Sequence, residues 1–122
     1  MPHLIIITAG INCILPAFIL FREGFGLRFC VLLISTILGL LYHINHEKKD
    51  FIWLADHLFA LIWAGIEIYH GHKIGRFLNA CMLNFATLIL YNTTYVMASV
   101  LTYNYYHSIW HLWFFAKTLL FL

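Results

Sequence analysis

Five long apolar runs, at 3–21, 27–45, 51–70, 77–101 and 106–122, are separated by breaks too short to hold a soluble domain. The first four are each long enough to cross a hydrocarbon core of about 30 Å at about 1.5 Å per helical residue; the fifth is the shortest. The expectation is a single all-α domain over 1–122, an integral membrane helical bundle of about five transmembrane helices. Composition agrees: 63% of the residues are hydrophobic, 10% carry a formal charge, and mean hydropathy is +0.86. No length is left for a soluble catalytic domain, so any chemistry lies in the membrane or at its edge. A net charge of +2, dispersed along the chain, offers no basic face for nucleic acid. Cys13, Cys30 and Cys81 all fall inside apolar runs without CxxC spacing and read as small apolar fillers.

The breaks set the topology. No Lys or Arg precedes the first run and Arg22 follows it, the wrong charge order for a secretory signal peptide, so it reads as a retained span that Pro16 kinks. Glu23-Gly24-Phe25-Gly26 forms a turn, His46-Glu47-Lys48-Lys49-Asp50 ends the second run, and Gly71 to Arg76 ends the third. Thr102-Tyr103-Asn104-Tyr105 reads as the last link. Arg22, Arg28, Lys73 and Arg76, with Lys117, fall on one side, and Lys48 and Lys49 on the other. This excess places the C-terminus in the cytoplasm and the N-terminus outside, in a multi-pass protein.

Within the runs stand His43, Asp56, His57, His107 and His111. Histidines at i and i+4 lie one above the other on a helical face, close enough to share a metal ion, and two unpartnered rings would be costly to bury in hydrocarbon. Segment parity puts all five residues on the same side of the membrane. Three neutral imidazoles suit Zn²⁺ with an open position for water, whose pKa the ion would lower to about 7. His43, His107 and His111 are the expected ligands, and Asp56 is the expected general base or a fourth ligand. His57 points about 100° away from Asp56 and has at most a supporting role, as do Ser108 and Tyr42. Other readings stand beside this one. Asp56 could hydrogen-bond Asn79, Asn84 or Asn92; His43 could be an interfacial histidine beside Tyr42; and the HxxxH pair could belong to an aromatic belt with Tyr103, Tyr105, Tyr106 and Trp110. His3, His46, His70 and His72 border the breaks and read as interfacial.

A histidine ending an early span in Leu41-Tyr42-His43, an aspartate just inside the next, and Tyr106-His107-Ser108-Ile109-Trp110-His111 opening the last resemble the CREST superfamily of membrane metallohydrolases. That group includes alkaline ceramidases, adiponectin and progestin receptors, the hemolysin III group and myomaker-like proteins. The resemblance implies a zinc site at His43, His107 and His111, Asp56 at the family aspartate, and a membrane lipid amide or ester as substrate. It covers the second, third and fifth runs. The family has seven helices where this chain offers five, so a second copy or partner helices could complete the bundle. The family also has a serine one turn before its first histidine, where this chain has Gly39; Ser35 and Thr36 are too far along the axis to replace it.

Three functions compete: a zinc-dependent lipid hydrolase with a ceramide-like substrate, a metal-binding membrane protein without turnover acting as a receptor-like or interaction module, and a haem-binding bundle. His57 and His70, the same-helix pair available to haem, are about 140° apart on the helix.

Overall fold

The computed structural model describes residues 2–97 and 100–121, and no strand occurs among them. The helices are α1 (Pro2–Asn12), α2 (Leu15–Glu23), α3 (Leu27–Ile44), α4 (Phe51–Lys73), α5 (Phe77–Met97) and α6 (Val100–Leu119). Among the described residues, three stretches are long and apolar enough to cross a membrane: His3–Glu23, Leu27–Ile44 and Phe51–Lys73.

The first stretch is broken rather than continuous. Pro16 has no N–H to give the carbonyl four residues back, and the chain around it tightens into bonds three residues long, Cys13 N–H to Gly10 O and Ile14 N–H to Ile11 O, both 3.1 Å. The sequence expectation of a kink at Pro16 therefore appears as two helices meeting at Cys13–Ile14. The N-terminus of α4 is capped by Asp50, whose carboxylate accepts from the N–H of Ile52 at 3.0 Å. The last helix starts earlier than expected. Tyr103, Asn104 and Tyr105 are helical instead of forming a link, which lengthens α6 to 20 residues. The Tyr103 hydroxyl reaches Glu47, and the Asn104 backbone carbonyl accepts from Ser108.

Successive helices pack as neighbours, and α1 closes the series against α6 as well as α3. A ring results, with α1 and α2 acting as one broken member. It is held at one end by Leu15, Ile19, Val31, Leu32 and Trp63. Helix α5 is turned inside out relative to a soluble helix. Ala80 and Thr87 are buried, while Leu78, Met82, Phe85 and Ile89 are exposed. At 21 residues it matches a membrane span in length, but its polar residues keep it from being apolar enough to count among the three stretches above.

At the end opposite His43, arginines satisfy the carbonyls just past the end of α6. Arg76 donates to Leu120 O at 2.8 Å and Arg28 to Phe121 O at 3.3 Å, where cations also suit the negative end of the helix dipole. Lys117 does not belong with these peripheral charges, as the count of positive residues assumed. It is 1% exposed and pairs with Glu67 at 2.7 Å inside the ring.

Candidate metal centre

The C-terminal turn of α3 meets the middle of α6, so the histidine pair does not open the last helix as the sequence suggested. There His43, His107 and His111 are all buried, and each offers a nitrogen within 4.8 Å of the other two. Ring centroids are 4.6 to 5.1 Å apart, with the planes steeply crossed. The i, i+4 spacing stacks His107 and His111 on one face of α6, and packing against α3 adds His43.

The neighbours of two of the rings favour a proton on Nδ1. The Thr8 hydroxyl donates to carbonyls of its own helix, Leu4 O at 2.9 Å and Ile5 O at 3.1 Å, so its oxygen accepts from His111 Nδ1–H at 2.8 Å. His43 Nδ1 is buried without a well-formed hydrogen bond and faces Glu47 Oε1 at 3.5 Å. A carboxylate there calls for the proton on Nδ1. With both protons on Nδ1, the two Nε2 atoms that face each other at 3.2 Å present lone pairs; with one proton on Nε2 they share a hydrogen bond. Two lone pairs at that separation repel unless a cation lies between them. Two nitrogens about 2.0–2.1 Å from one tetrahedral ion would be about 3.3 Å apart, so the spacing of this pair is that of two ligands on one metal ion.

Beneath the triad is a cavity of about 460 Å³, to which α1, α3, α4, α5 and α6 all contribute. Asp56 and His57 line it, as do Tyr42 and Gly39. Asp56 is not part of the close nitrogen group. Its Oδ1 instead lies against Gly39, where a Cβ would be 3.4 Å away. The aspartate and the glycine one turn before His43 are therefore direct neighbours. None of the asparagines considered as its partners takes that role: Asn84 donates to Glu67 Oε1 at 3.0 Å and accepts from Lys117 at 3.2 Å. His57 is held by Trp53 O at 2.8 Å and the Tyr91 hydroxyl at 3.0 Å, which leaves it no ring nitrogen for a haem. Ser108 is buried and donates to Asn104 O, one turn back in its own helix, rather than to the triad. Tyr42 packs its ring against His43 and His57, with centroids 5.2 and 6.3 Å away.

Outside the spans, Glu47 lies beside the triad, its Oε1 3.5 Å from His43 Nδ1. Burial pushes its carboxyl up, but the His43 ring and the Tyr103 hydroxyl, 2.8 Å from Oε1, outweigh burial and hold it below the usual carboxylate range. Thr8, Glu47 and Glu67 were not among the residues expected at a site. Thr8 has no motif around it. Glu67, an acid in the middle of an apolar run, carried a signal by that position alone.

Comparisons with protein families, with curated proteins and with solved structures found no match to this chain. The geometry of the site therefore carries the functional reading.

Proposed function

We propose that this protein is a zinc-dependent membrane hydrolase of lipid amides or esters, with a ceramide-like substrate favoured, related to the CREST superfamily. The observation that carries this reading is the buried His43, His107 and His111 group, with two of its Nε2 atoms 3.2 Å apart, beside a cavity that Asp56 also lines. His43, His107 and His111 would hold the ion. When bound, it supplies Lewis acidity toward a carbonyl oxygen and lowers the pKa of water to about 7. Asp56 is the group suited to accept a proton from that water. The cavity has the size of a small-ligand site, and its apolar wall, including Trp63, Leu88 and Phe114, suits a lipid chain and keeps bulk water from the reacting group.

The remaining parts of the reading are five membrane passes, with α5 and α6 presenting apolar outer faces to lipid, and a cytoplasmic C-terminus. With Lys117 buried, the orientation rests on Arg22, Arg28, Lys73 and Arg76 against Lys48 and Lys49.

Gly39 supports a second reading, metal binding without turnover. A serine hydroxyl at that position would touch Asp56, and glycine supplies none. Metal analysis of purified protein, paired with an assay on a short-chain ceramide, separates the two. One zinc per chain with turnover supports the hydrolase, and zinc without turnover of any lipid tested supports the second reading. His111→Ala is expected to abolish stoichiometric zinc; unchanged zinc content would overturn the ligand assignment.

A further inference from the structure

Glu47 is an acid in an unfavourable place. Helix α3 ends at Ile44, and a carboxylate just beyond a helix C-terminus faces the negative end of the dipole, where a cation would be preferred. The backbone that places it is also costly. His46 has φ 60° and Glu47 φ 57°, two consecutive left-handed residues, neither of them glycine. Left-handed geometry brings the Cβ of an L-residue too close to the following carbonyl oxygen and is disfavoured. The turn returns part of this by closing the helix end, with Glu47 N–H donating to Tyr42 O at 2.9 Å and Asn45 N–H to Leu41 O at 2.9 Å. That closure needs only the backbone. It explains no carboxylate.

The side-chain contacts do. Glu47 Oε1 faces His43 Nδ1 at 3.5 Å and accepts the Tyr103 hydroxyl at 2.8 Å. Tyr103 in turn lies almost parallel to His107, with centroids 5.2 Å apart and planes 20° from coplanar. A single carboxylate thus touches one member of the triad and holds the ring that stacks on a second, while Thr8 holds the third. Taking the triad as a metal site, as above, we propose that Glu47 is a positioning residue of the metal centre: it orients His43 directly and His107 through Tyr103, and strained backbone is retained to put it there. A carboxylate behind a ligating imidazole fixes the tautomer and raises the basicity of the nitrogen that binds.

The test is metal affinity of full-length protein in detergent, measured with zinc and with cobalt(II) against a chelator, together with the cobalt absorption spectrum. Glu47→Ala is expected to weaken affinity 10- to 100-fold and to alter the cobalt bands, without lowering the unfolding temperature of metal-free protein. Glu47→Gln keeps an acceptor oxygen without the charge and should recover part of the loss. Tyr103→Phe should weaken affinity less than Glu47→Ala. Should Glu47→Ala fail to fold, Glu47→Gln and Tyr103→Phe decide. Wild-type affinity and an unchanged cobalt spectrum in the folded variants would overturn the positioning role while leaving the metal site standing. Wild-type protein that takes up neither metal would instead overturn the metal reading itself.

Discussion

Thr8 shows how little at the residue scale marks a side chain that matters to a site. It sits in an apolar run with no motif around it, yet its oxygen is 2.8 Å from His111 Nδ1 and favours a proton on that nitrogen. Thr8→Val keeps the shape and removes the acceptor. It is expected to weaken zinc binding about tenfold, and Thr8→Ser to restore it, as read by chelator competition. Gly39 is the other residue whose role depends on a neighbour. A Cβ there would meet Asp56 Oδ1 at 3.4 Å, close to ordinary contact, so Gly39→Ser should fold and bring a hydroxyl to the aspartate. Under the hydrolase reading it raises turnover of a short-chain ceramide at unchanged zinc content; unchanged turnover would favour binding without catalysis. The sequence made His43, His107 and His111 visible because an i, i+4 pair and segment parity are both one-dimensional signals. Thr8 and Glu47 were not visible, because their roles depend on which helix faces which and on a left-handed turn.

At the scale of elements, the apolar runs predicted the helices well, but the ends of those runs were less reliable guides. Pro16 signalled a break, and the chain divides there. At α6 the polarity of Tyr103 and Asn104 suggested a link, whereas a helix facing a polar interior carries such residues within its span. The hairpin of α4 and α5 turns on a close approach that only a small residue allows. A Cβ at Gly71 would be 2.6 Å from Ala80 Cβ and 3.2 Å from Arg76 O. Ala80 is fully buried and Arg76 O is backbone, so neither yields easily. Gly71→Leu should therefore splay the hairpin and cost about 1–3 kcal/mol, a typical overpacking loss. The midpoint of unfolding in detergent measures it, and an unchanged midpoint would mean that the two helices are not packed this tightly.

For the molecule as a whole, three helices are joined across the ring by one buried polar network. Lys117 of α6 donates to Glu67 of α4 at 2.7 Å and to Asn84 of α5 at 3.2 Å, and Asn84 donates to the same Glu67 oxygen at 3.0 Å. Glu67 is fully buried, and its other oxygen has no hydrogen-bond partner among the described residues. The carboxylate is therefore tolerated only while its cation is present. An isolated charge left in such an interior is far more costly than the pair, and removing one member of a buried pair costs about 3–5 kcal/mol, while replacing both with apolar residues is often close to neutral. Lys117→Met should lower stability by about that amount, and Lys117→Met with Glu67→Leu should recover most of it. Because Lys117 and Asn84 also line the cavity beneath the triad, the single variant is expected to loosen the site and the double variant to leave zinc binding near wild type. Unfolding midpoints and zinc content, measured on both variants, check the two halves of this expectation. A double variant as unstable as the single one would show that the network acts through its polarity rather than through charge balance.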